Sequence, residues 1–218
     1  MKFEAILFDC DGVLVDSEPI TNGVLRTMLN EAGWAITHEE CMDYFIGRTV
    51  RSATARIEAE TGRPLTDEWM AAFYERRNIA LTERLLAIDH IHPAIERVHA
   101  HHGGRIACAS GADRFKVEMQ LAKVGLMPYF DGRIFSGHEV PRTKPAPDVY
   151  LAAAAALQVP PERCAVVEDS AIGVAAGVAA GATVFAYAPP GAAEAPLRAA
   201  GARHVFASMA ELPVLLGC

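Results

Sequence analysis

The chain has no CxxC pair or zinc-ligand spacing among its five cysteines, no extended run of lysine or arginine, and no basic start leading into a long apolar stretch. Each absence excludes something. The cysteines are scattered, and Cys10, Cys108 and Cys164 stand in apolar runs where cysteine behaves as a small hydrophobe, so neither a disulfide framework nor a zinc ribbon is expected. With a net charge of −7 and dispersed cations, the chain is a poor match for nucleic acid, whose phosphates are held by basic patches. Lys2 and Glu4 lead into an apolar run that stops at Asp9, which is no signal peptide, so a cytoplasmic location is expected. Residues 170–193 carry no charge and are long enough to span a bilayer. They are Ala- and Gly-rich, turn into TVFAYA and stop at Pro189-Pro190, which reads as a helix followed by a strand, with no membrane span. Nothing points to an obligate protein partner.

What is present is enough for a core: 218 residues, 51% of them hydrophobic, make one or two globular domains. Short apolar runs at 3–8, 105–109, 133–135, 164–168, 183–187 and 204–206 read as strands, with helical stretches at 114–124, 148–157 and 170–180 between the later ones. Continuous apolar strands alternating with helices predict an α/β fold, a Rossmann-like parallel sheet covered on both faces. Residues 15–87 break that rhythm. Ile20, Val24, Leu25, Met28 and Leu29 form one helical stripe ended by Gly33, and Met70, Phe73, Tyr74, Leu81 and Leu85 form another after Thr66-Asp67. Thr37 and Glu40 make a capping box between them. The expected division is a Rossmann-like core of 1–14 and 88–218 interrupted by an all-helical domain of 15–87. Trp34 and Trp69 are assigned to the core of the helical domain.

The polar residues cluster at strand ends. ILFDCDG ends its strand in Asp9 and Asp11, which on an extended chain face one way while Cys10 faces the other. Gly12 permits a sharp exit and close approach. CAVVEDS ends in Glu168 and Asp169, RIACAS in Ser110 followed by Gly111, and PRTKPAPD supplies Lys144 before a helix begun by Pro147 and Asp148. In a parallel sheet these groups share the carboxyl edge, where open α/β sheets bind ligands. Four carboxylates against Lys144 leave about three negative charges, which a phosphate dianion would not approach unaided; a hard divalent cation held by oxygens, most simply Mg²⁺, would offset two. Gly173, Gly177 and Gly181 are read as letting their helix lie close to the sheet, without a catalytic part. His90, His92, His99, His101 and His102 are read as lacking matched metal-binding partners.

FDCDG, CAS, KP and ED, in that order and spacing, resemble the four motifs of the haloacid dehalogenase superfamily, with a helical cap inserted after the first. The resemblance implies an enzyme, a Mg²⁺-dependent phosphoric monoester hydrolase acting on a small phosphorylated metabolite such as a sugar or sugar-acid phosphate. It implies Asp9 as nucleophile forming an aspartyl phosphate, Asp11 as general acid and base, and Ser110, Gly111 and Lys144 holding the phosphoryl group. Metal would be bound by Asp9, the Asp11 carbonyl and Asp169, with Glu168 assisting through water. Related dehalogenases lack the second Asp, and phosphonate-cleaving relatives use a cap lysine, whereas residues 15–87 contain none. The sequence is similar to 6-phosphogluconate phosphatase-type enzymes and to β-phosphoglucomutases; Thr21 occupies the place of the mutase histidine. Arg48, Thr49 and Arg51, in IGRTVR, and Arg77 are the residues of the helical domain expected to meet substrate. A phospho-accepting signalling switch combines similar groups but in a chain roughly half as long.

Overall fold

The computed structural model describes residues 3–45 and 49–218. It divides into two compact units, Ser17–Leu85 and the remainder. The larger unit holds six strands, β1 (Ala5–Phe8), β2 (Ile106–Ser110), β3 (Ile134–Ser136), β4 (Cys164–Glu168), β5 (Thr183–Tyr187) and β6 (His204–Phe206). They form one all-parallel sheet in the order β3-β2-β1-β4-β5-β6. Every residue of β1, β2 and β4 is buried, as the uninterrupted apolar runs require of strands covered on both faces. Phe3 and Glu4, expected in the first strand, precede it.

Helices α1 to α4 (Glu18–Glu31, His38–Phe45, Thr54–Thr61 and Asp67–Arg84) belong to the smaller unit. Those of the sheet unit are α5 (Ile91–His101), α6 (Arg114–Lys123), α7 (Met127–Phe130), α8 (Asp148–Ala156), α9 (Ala171–Ala179), α10 (Glu194–Ala199) and α11 (Leu212–Leu215). Among the described residues, no helix is long and apolar enough to cross a membrane.

The helical unit has its own core, in which Leu25, Met28 and Leu29 of α1 pack with Met70 and Phe73 of α4. Trp34 and Trp69 lie at its margin, Trp34 edge-on to Tyr44 and Trp69 stacked on Phe73. Thr37 and Glu40 cap α2 reciprocally: Thr37 N–H donates to Glu40 Oε2 at 2.9 Å and Glu40 N–H to Thr37 Oγ1 at 3.2 Å. Tyr74, expected in the second stripe, is exposed and lies beneath the Arg77 guanidinium, 4.8 Å from its carbon. Val15 and Asp16 stay with the sheet unit, Val15 bridging to Asp11 and Ala87 and Asp16 N–H donating to the Leu86 carbonyl.

Strand register brings the site's residues to one level. Phe8 pairs with Val167 on one side and Cys108 on the other, so Asp9 lies beside Glu168, with Ser110 one step further along β2. From β1 the chain steps outward to β2 and β3, then crosses back past β1 to β4 and steps outward the other way to β5 and β6. This is the topological switch point at which open α/β sheets form their ligand crevice.

Candidate active site

Lys144, in the loop before α8, reaches across the end of the sheet and donates to Asp9 Oδ1 and to Glu168 Oε1, both at 2.7 Å. All three side chains are buried. An isolated lysine would not tolerate burial, but Asp9 and Glu168 outweigh the desolvation and hold the ammonium well above its ordinary pKa. Glu168 is pushed up by burial and pulled below the usual carboxylate range by Lys144, Tyr150 and the Ser170 N–H. Its Oε1 also accepts from Tyr150 Oη at 2.8 Å, and its Oε2 from the N–H groups of Asp169 and Ser170 and the Ser170 hydroxyl. Burial pushes the Tyr150 phenol up as well, which keeps it a donor. Both Glu168 oxygens are thus engaged by donors of the protein.

Asp9 is different. Burial, only partly countered by Lys144, raises its carboxyl to about 7, and the charges of Glu168 and Asp11 add to the rise. Oxygens of Asp9, Glu168 and Asp169 lie within 4.8 Å of one another, an all-oxygen acidic set that suits a hard divalent cation. Gly12 makes the set possible. Its φ is +77°, and a Cβ there would fall 1.9 Å from Asp169 Oδ2, so the carboxylate fills the space that any other residue would occupy.

Asp11 does not share the partners of Asp9. Lys116 Nζ donates to its Oδ1 at 2.9 Å and Oδ2 at 2.8 Å, and Gln120 Nε2 to Oδ1 at 2.8 Å. β1 ends at Phe8, so Asp9–Asp11 lie beyond the strand whose alternation the expectation used, and the two carboxylates meet different lysines, Lys144 and Lys116. Lys116 also changes the charge count: two lysines face four carboxylates, leaving two negative charges, the complement of one divalent cation.

Ser110 is buried at the end of β2, its Oγ accepting the Ala112 N–H at 3.1 Å. Gly111 follows in a loop and does not open the helix, since α6 starts at Arg114 with Asp113 as its cap. Gly137 closes on this loop, its N–H donating to the Ser110 carbonyl at 2.7 Å.

The three spaced glycines have three surroundings. A Cβ at Gly173 would meet Glu168 Oε1 at 1.7 Å, so Gly173 borders the acidic cluster; one at Gly177 would meet Val184 at 2.8 Å; and Gly181 lies beyond α9 in open space. The reading of close helix–sheet packing fits Gly177 and Gly173, the latter against Glu168 at the end of β4, and does not fit Gly181.

Of the residues anticipated in the helical unit, Arg48 lies outside the described residues. Thr49 caps a short 3₁₀ turn, accepting the Ser52 N–H, and Arg51 pairs with Asp67 at 2.6 Å. Arg77 is buried, its Nε and Nη2 donating to Asn78 Oδ1.

Sequence reasoning missed Lys116, Gln120 and Tyr150. Lys116 and Gln120 share the buried stripe of α6 with Val117 and Leu121. A lysine and a glutamine on an apolar face signal buried partners, and that periodicity was available in the sequence. His101 and His102 have a neighbour that their positions do not reveal, Cys218, with ligand atoms within 4.8 Å. Burial pushes the Cys218 thiol up, away from the thiolate that binds metal.

Acidic oxygens gathered around a buried lysine at the carboxyl edge of a parallel, Rossmann-like sheet, in a chain interrupted by a helical unit, mark an enzyme of the α/β class. The haloacid dehalogenase-like hydrolase family model matches residues 3–181, and the chain belongs to that family. It is 30% identical over 187 residues to 6-phosphogluconate phosphatase of Escherichia coli, covering 85% of this chain and 83% of that protein. It is 31% identical over 181 residues to fructose-1-phosphate phosphatase of the same organism, covering 83% and 94%. A haloacid dehalogenase family hydrolase of Deinococcus radiodurans, solved with bound phosphate and sodium, superposes with a TM-score of 0.83 at 34% identity, covering 99% of this chain and 95% of that one.

Proposed function

We propose that the chain is a Mg²⁺-dependent phosphatase that hydrolyses a small phosphorylated metabolite, a sugar or sugar-acid phosphate, through a phosphoryl group carried transiently on Asp9. The observation that carries this reading is Lys144 held 2.7 Å from both Asp9 and Glu168 beside the Asp169 carboxylate. Related proteins named as phosphatases of 6-phosphogluconate and fructose 1-phosphate support the substrate class.

Asp9, Asp169 and the Asp11 carbonyl would hold Mg²⁺, with Glu168 acting through water and by keeping Lys144 in place. When bound, the cation supplies positive charge to the Asp9 carboxylate and to the phosphoryl oxygens. Asp9 attacks phosphorus, the bond to the leaving oxygen breaks, and Asp11 gives that oxygen a proton. Water then attacks phosphorus, the bond to Asp9 breaks, and Asp11 takes the water's proton back. Lys144, Ser110 and the Gly111 N–H would neutralise and orient the phosphoryl oxygens, the electrostatic work on which phosphoryl transfer mainly depends. In the helical unit, read as a cap, we assign Arg48, Thr49 and Arg77 to substrate recognition. Membership of a hydrolase family sets aside the signalling-switch alternative. Thr21, standing where the mutase resemblance calls for histidine, favours hydrolysis over isomerisation.

The test is a screen over sugar phosphates, sugar-acid phosphates, polyol phosphates, phosphoglycolate and nucleotides, measuring inorganic phosphate and, with β-glucose 1-phosphate, glucose 6-phosphate. The reading expects phosphate release that needs Mg²⁺. Isomerised product without phosphate would replace it with a mutase.

A further inference from the structure

Two polar side chains on α6 serve a carboxylate in the loop after β1. Lys116 and Gln120 are one helical turn apart on the buried face of α6, and together they place three hydrogen bonds of 2.8–2.9 Å on Asp11. Lys116 spans both oxygens. Its side chain is 9% exposed, an unusual position for an ammonium and one that burial would oppose without the carboxylate it meets. Gln120 is wholly buried, and its orientation is fixed from the other side: the Cys10 thiol donates to Gln120 Oε1 at 3.5 Å, leaving the amide nitrogen to face Asp11.

Donors on both oxygens hold the Asp11 carboxylate in one orientation, which is what a group that must meet a water in the cycle proposed above requires. We propose, resting on that reading, that Lys116 and Gln120 are positioning residues for Asp11 in the second half-reaction, the hydrolysis of phospho-Asp9. In that step the water oxygen bonds to phosphorus and the phosphorus–oxygen bond to Asp9 breaks. Asp9 departs with the electron pair, and the water proton passes to the carboxylate that the two α6 side chains aim.

p-Nitrophenyl phosphate separates the halves, because its leaving group departs without a proton. In the Mg²⁺-loaded Lys116→Met protein, rapid mixing should release about one p-nitrophenol per site at a rate within roughly threefold of wild type. Steady turnover should then run about tenfold or more slower than wild type, the scale of losing a well-placed general base. Phosphorylated protein should accumulate, seen by mass after acid quench. Gln120→Leu, which keeps the lysine, should show the same split to a smaller extent, and Lys116→Arg should recover most of the turnover. If burst and steady rate fall together, or neither changes, the positioning role is wrong. A wild-type enzyme that turns over without ever carrying phosphoryl on Asp9 would overturn the underlying reading instead.

Discussion

Gly173 lies against the Glu168 carboxylate so closely that a Cβ on Gly173 would stand 1.7 Å from Glu168 Oε1 and 2.2 Å from Oε2. Glu168 in turn holds Lys144, so a methyl group on α9 reaches the nucleophile through two contacts. A Cβ on Gly177, one turn on, would come nearest to Val184 and Val166. Gly173→Ala and Gly177→Ala should each cost about 1–3 kcal/mol of stability through overpacking. Gly173→Ala alone should also lower kcat in the folded protein, by roughly 100-fold or more on the scale of a displaced electrostatic group. Thermal melts alongside kcat for both variants check the split; equal activity in the two would contradict it.

Gly12→Ala acts on the acidic set directly. At φ +77° alanine is strained by about 1–2 kcal/mol, and its Cβ would occupy the place of Asp169 Oδ2. The Mg²⁺ concentration for half-maximal activity should rise about tenfold or more, as happens when a ligand's support is lost. Titrating activity with Mg²⁺ in both proteins measures it, and an unchanged midpoint would remove Asp169 from the cation site.

Asp9 also predicts a pH dependence. Its carboxyl is raised by burial to about 7 from an ordinary value of 3.8. Between those pH values the folded protein keeps a proton that the unfolded chain has lost, so in chelator-treated protein rising pH works against folding across that window. Asp9→Asn removes the titration. The stability advantage of Asp9→Asn over wild type should grow from near zero at about pH 4 and level off above about pH 7, at an order of 2–4 kcal/mol. Glu168, pushed up by burial and lowered by Lys144, carries the opposite dependence in both proteins. Parallel stability curves would contradict the raised value.

The sheet was legible because its central strands are buried on both faces and so carry uninterrupted apolar runs, as CAVVE and IACAS do. Strand ends then supplied Asp9, Ser110 and Glu168, since a change from apolar to polar at a strand's carboxyl end is a local signal. Tyr150 and Lys116 were not legible in the same way. Each sits inside a helix, and its partner is distant in sequence, Glu168 and Asp11, so only packing joins them. The partners of Asp11 were not legible for a related reason: alternation holds within a strand, and β1 stops at Phe8 before the loop begins.

The most direct test of the account is acid quench of the enzyme during turnover, with peptide mapping of the phosphoryl group by mass spectrometry. The account predicts a phosphoryl group on Asp9 that depends on Mg²⁺, disappears with chelator and is absent from Asp9→Asn, which should itself be folded and inactive. Continued turnover by Asp9→Asn, undiminished turnover in chelator, or a phosphoryl group on another residue would contradict it.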